Sequence, residues 1–119
     1  MLNIIIRICC IAAWWSLPGC VGGRLPQITP VQAQWAGQQW PGMELAQLGQ
    51  GRRLYVNRCS GCHNLVLPAA KDLDQWKLIL AKMAVKAKLN EGQRELIWRY
   101  LQTVKRAPAD ATISDKAGQ

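Results

Sequence analysis

The run Arg58-Cys59-Ser60-Gly61-Cys62-His63-Asn64 constrains this chain more than any other, because it holds the only histidine in 119 residues and two of the five cysteines. Two thiols three positions apart, closed at once by an imidazole, suit three chemistries: a metal clip, a redox dithiol, or a covalent attachment point for haem. Each requires different neighbours elsewhere in the chain. The choice therefore depends on where the other cysteines go.

The first twenty residues carry one basic residue, Arg7, then an apolar run from Ile8 to Leu17, then small residues. That is the layout of a signal peptide over residues 1–19. The run is shorter than the roughly 20 apolar residues that span a bilayer. Leu17-Pro18-Gly19-Cys20 resembles the lipobox of bacterial lipoproteins, with a Leu three before the Cys and a Gly immediately before it; Pro18 departs from the small residue usual there. The resemblance implies that Cys20 becomes a lipidated N-terminus on the periplasmic face of a bacterial membrane. Cleavage after Ala33, giving a soluble periplasmic protein, and an uncleaved anchor beginning at Leu2 are the alternatives.

Export leads into an oxidising compartment, where a spare thiol normally pairs. Here every cysteine has an assignment. Cys9 and Cys10 leave with the signal run, Cys20 carries lipid, and only Cys59 and Cys62 remain. A structural zinc site would need two further Cys or His ligands, which the exported chain lacks. A thioredoxin-like dithiol would need a preceding strand and a βαβ pattern, and no stretch alternates convincingly with period two. Haem needs only what is present: two cysteines that add across its vinyl groups as thioethers, and His63 as proximal iron ligand. Ser60 and Gly61 are small enough for a loop lying against a porphyrin edge. A chance match or a dithiol is the remaining reading.

Residues 20–49 are rich in Gln, Gly and Pro, with breaks at Val21-Gly22-Gly23, Leu25-Pro26, Thr29-Pro30 and Trp40-Pro41-Gly42, and two charges, Arg24 and Glu44. They read as a tether without regular structure. Thirty flexible residues would reach about 30 Å. Trp35 and Trp40 within it could rest on the domain or at a bilayer interface. From Gln50 the pattern turns helical. Leu54, Tyr55, Arg58 and Cys59 recur at helical spacing; Trp76, Ile79, Leu80 and Met83 fall at i, i+3, i+4 and i+7 behind Asp74 as cap; Leu96, Ile97, Tyr100, Leu101 and Val104 form a stripe behind the box-like start Asn90 to Gln93. Pro108 stops the last helix and opens a disordered tail, residues 108–119. The fold class is all-α, with about three helices in residues 50–107. So small a core generally needs a disulfide, metal or cofactor to stay folded.

With these residues in view, the chain resembles the c-type cytochromes, small single-haem electron carriers. The resemblance covers about Gly51 to Val104 and rests on Cys59-Ser60-Gly61-Cys62-His63, on the preceding helix of form G-x-x-L-Y-x-x-x-C, and on a closing helix ending in Tyr100-Leu101. The middle of the chain is the least familiar part. The resemblance implies a bundle around one haem c held by Cys59 and Cys62, with Trp76, Ile79 and Leu80 packing on it. Short members of the family show a Trp followed by a Met one or two turns later, similar to Trp76 and Met83. Met83 is thus the candidate distal ligand, a soft and neutral thioether that favours ferrous iron. Its bland reading is a core-filling methionine.

The formal charge is +8, and Lys71, Lys77, Lys82, Lys86 and Lys88 crowd the second helix of the domain. Such a run is either a plain solvated face or a docking face for acidic redox proteins. Nucleic acid does not fit an exported haem protein. The seven acidic residues show no paired placement, and His63 is consumed by iron, so no enzyme site is expected. The sequence therefore points to a membrane-tethered electron carrier between periplasmic or membrane redox proteins. Two readings stand beside it: a haem-based gas sensor or small peroxidase-like domain with an open distal position, and a fixed haem subunit of a larger membrane oxidoreductase.

Overall fold

In the computed structural model, residues 25–60 and 64–108 are described. The signal and lipidation segment with Cys20, the motif residues Gly61, Cys62 and His63, and the tail from Ala109 lie outside the described residues. The described chain folds as four α-helices: α1 (Pro30–Gln39), α2 (Leu45–Cys59), α3 (Leu73–Lys86) and α4 (Glu91–Arg106), with one 3₁₀ turn at Pro68–Ala70. No strand occurs among the described residues, so the all-α expectation holds. None of these helices is long and apolar enough to cross a membrane.

Each helix starts where side chains take over the amide groups that a first turn leaves unpaired. Thr29 Oγ1 accepts from Gln32 N while Gln32 Oε1 accepts from Thr29 N, at 3.2 and 3.1 Å. The same reciprocal box opens α3 through Asp72 and Gln75 and α4 through Asn90 and Gln93. At α2, Gln47 Oε1 accepts from Glu44 N at 2.8 Å.

Two expectations are corrected here. The stretch read as an unstructured tether contains α1 and the first turn of α2, giving four helices instead of three. The breakers that argued against a helix are its start signal: Pro30 sits at the first helical position, where its missing N–H costs nothing. Trp35 and Trp40 rest on the domain. Their rings meet edge to face at 5.8 Å, and Arg99 of α4 stacks 4.3 Å from the Trp40 centroid. The cap of α3 is Asp72, whereas Asp74 lies in the first turn.

The N-terminal strap that enters α1 is bound as well. Leu25 is buried in the hydrophobic core, with Ile28 packed against it. Arg52 of α2 donates to Leu25 O at 3.2 Å and to Pro26 O at 3.1 Å. Tyr100 Oη donates to Pro26 O at 2.8 Å.

The core itself forms where α2 crosses α4. Tyr55 on one helix meets Ile97, Tyr100 and Leu101 on the other, all buried. The closest approach is at Gly51. A Cβ there would lie 2.2 Å from Leu96 O and 2.8 Å from Leu96 C, so the backbones pack with no room for a methyl group. α3 then closes the bundle through Trp76 and Leu80. Its C-terminus turns back at Lys88, in the left-handed region at φ 52°, and Leu89 N donates to Ala84 O at 2.9 Å.

Gly51→Ala should force α2 and α4 apart and destabilise the fold by about 3 kcal/mol, at or above the usual cost of overpacking because the obstacle is backbone. Chemical denaturation should show it as a lowered midpoint. Lys88→Gly should do the opposite, raising stability by about 1 kcal/mol by relieving the left-handed Cβ.

Candidate functional site

Two turns beyond Gly51, α2 ends at Cys59 with its side chain half-buried. Tyr55 lies four residues earlier on the same face. Opposite them, α3 presents Trp76, Ile79, Leu80 and Met83, the stripe read from the sequence. Together with Val66 and Leu101 these residues line one apolar cavity of about 250 Å³. Trp76, Leu80, Tyr55 and Leu101 form its buried walls, and Cys59, Val66, Ile79 and Met83 stand half-exposed at its mouth.

The cavity is held open from three sides. Tyr55 Oη donates to the Val66 carbonyl. Trp76 Nε1 donates to Pro68 O at 2.9 Å, and Lys105 Nζ donates to the same oxygen at 3.3 Å. The segment that follows the motif is therefore gripped by α2, α3 and α4 at once. Trp76 is more than a packing residue: its ring is wall, stacked edge to face on Tyr55 at 5.8 Å, and its N–H is a clamp.

Sequence reasoning placed Cys59, Trp76, Ile79, Leu80 and Met83 at a site, and the fold brings all five to one cavity. Cys62 and His63 lie outside the described residues. Tyr55, Val66 and Leu101 were not named as site residues. The spacing of Tyr55 to Cys59, i and i+4, was the available signal for the first. Val66 carried none, since its place depends on the hydrogen bond to its carbonyl.

Burial dominates the electrostatics of this region. Tyr55 is raised well above the ordinary tyrosine range by burial, with Cys59 and then Tyr100 adding to it. Burial also pushes Tyr100 up, to about 12, against the opposing pull of the Arg52 guanidinium and its hydrogen bond. Lys71, Lys77, Lys82, Lys86 and Lys88 are all exposed. Among the described residues no three His, Cys, Asp or Glu side chains gather where they could hold a metal ion.

Chemically, the cavity offers an apolar interior, a thiol at its mouth on one helix and a thioether on the other. These residues fit an apolar group bound between α2 and α3. They do not fit a polar substrate, since the walls present hardly any hydrogen-bonding side chains apart from the Tyr55 hydroxyl, which is engaged with Val66.

Tyr55 and Tyr100 are the chain's two tyrosines, so the whole phenolate signal reports on the core. Their folded pKa values lie above the unfolded value near 10, so folding binds more protons than unfolding in this range. Stability should thus be complete below about pH 10 and fall as pH rises toward 12 and beyond. Phenolate absorbance should stay silent at pH 10 and appear cooperatively with loss of helical circular dichroism. A smooth titration centred at pH 10 in a folded protein would contradict the packing described.

In comparisons with known proteins, no family model, no curated protein and no solved structure matches this chain.

Proposed function

We propose that this chain is a monohaem c-type cytochrome that carries single electrons between redox proteins at a membrane surface. The observation that carries the reading is the convergence of Cys59, Met83 and the Trp76-Ile79-Leu80 stripe on one apolar cavity. The first comes from the attachment motif and the others from a helix more than a dozen residues further along. Haem supplies, when bound, the one-electron chemistry of its iron.

The chain's residues have distinct tasks in this reading. Cys59 and Cys62 would hold the group covalently, and His63 would supply an imidazole nitrogen to its iron. Met83 would supply a neutral thioether sulfur. Tyr55, Trp76, Leu80 and Leu101 exclude water, which favours the less charged, reduced state. The exposed lysines of α3 provide a basic field for an acidic partner, strongest at low salt. Cys20 carries the lipid that keeps the protein on the periplasmic face of a membrane. No substrate or acid–base site is part of the proposal.

Protein matured in a host competent for cytochrome c assembly should retain its haem through denaturing electrophoresis and acid acetone extraction. Replacing Cys59 or Cys62 by Ser should weaken or abolish that retention. Loss of all haem from the wild type on extraction would refute the proposal. Reduced wild-type protein should ignore carbon monoxide, whereas Met83→Ala should bind it and show a lower reduction potential. A wild type that is high-spin and takes up carbon monoxide readily would make Met83 a wall residue and favour a sensor or peroxidase with an open distal position.

A further inference from the structure

The anchor proposed at Cys20 and the core residue Leu25 are separated by only Val21, Gly22, Gly23 and Arg24. A chain gains at most about 3.6 Å per residue, so Leu25 lies no more than about 18 Å from Cys20 whatever conformation those residues adopt. From Leu25 onward the chain is part of the domain. Leu25 is only 7% exposed, its carbonyl and that of Pro26 accept from Arg52, and Pro26 O also accepts from Tyr100. Thr29 and Pro30 then start α1 directly. The reach of about 30 Å that an unstructured segment of thirty residues would give is thereby removed.

We infer that the domain does not swing on a tether but sits against the phospholipid surface, with the Leu25–Ile28 strap turned toward the bilayer. The inference rests on the proposed lipidation of Cys20. The length of chain between lipid and core sets the occupant of this face, since no other surface can lie between them at that spacing. Charge agrees with it: Arg24 precedes the strap and Arg52 braces it, and basic side chains near a bilayer favour anionic headgroups. Pro26 and Gln27 are the exposed residues that would meet the interface. The consequence for function is a choice of partner. A domain held this close exchanges electrons with proteins in or on the same membrane, and reaches a distant soluble partner only if that partner comes to the bilayer.

The test uses full-length, haem-loaded, acylated protein in vesicles of phosphatidylethanolamine and phosphatidylglycerol, with a nitroxide on Gln27→Cys and a nickel-chelating lipid as paramagnetic probe. Strong relaxation of the nitroxide by headgroup nickel is expected. Inserting thirty Gly and Ser residues between Gly23 and Arg24 should reduce that effect several-fold. Arg52→Gln, which removes the brace, should reduce it in part while circular dichroism stays helical. Weak relaxation in the parent protein, or no response to the insertion, overturns the inference when mass spectrometry of the same vesicles shows an acylated Cys20. An unmodified residue 20 overturns the anchoring reading instead, and the inference with it.

Discussion

The contact at Gly51 sets the geometry on which the rest depends. With no Cβ between them, α2 and α4 meet backbone to backbone, with Leu96 O where a methyl group would be. That approach lets Tyr100 lie fully buried and reach Pro26, and it lets Tyr55 face both Trp76 and Tyr100 as an aromatic cluster. It also fixes the direction in which α2 runs out to Cys59. A helix pair spaced even one methyl further apart would aim that thiol differently, and the cavity below it would lose its Leu101 wall.

A second layer of interactions converts this crossing into a site. Carbonyl oxygens of Val66 and Pro68 are gripped by Tyr55, Trp76 and Lys105, each from a different helix. Two of the cavity walls, Tyr55 and Trp76, are therefore side chains whose positions are set twice, once by packing and once by a hydrogen bond. Such overdetermination suits the proposed redox role, in which reorganisation on changing charge is best kept small. The pattern also explains how so few residues keep a hollow core. The aromatic rings that border the empty volume are pinned by their polar ends, while their apolar faces remain available to a large apolar group.

Much of this was legible in the sequence because the helices announce themselves chemically. The boxes at Asn90 and Gln93, the Trp76 to Met83 stripe, and the Ile97, Tyr100, Leu101 face all follow helical periodicity and appear where expected. What escaped were features that depend on a partner distant in sequence. α1 has no strong apolar face of its own, and only its start, the Thr29–Gln32 box with Pro30 at the first helical position, marks it; read by composition, its Gln and Gly residues look like a linker. Gly49 and Gly51 weaken the helical pattern at the start of α2, yet Gly51 is there because of Leu96, forty-five residues later. The bracing of Leu25 and Pro26 by Arg52 and Tyr100 is likewise invisible locally. At the site, side chains on regular helices could be assigned, whereas Val66 could not.

A haem held, as proposed, in the cavity between α2, α3 and α4 would report its own surroundings through ring current. Proton NMR of the reduced, haem-loaded protein, with methyl groups assigned, measures this directly. The account predicts strong displacement of the Ile79, Leu80, Met83 and Leu101 methyl resonances. Leu78 and Val85, exposed on the outer side of α3, should stay in the ordinary range. Displaced resonances at Leu78 and Val85 with ordinary ones at Leu80 and Leu101, or no displaced methyl at all, would contradict it.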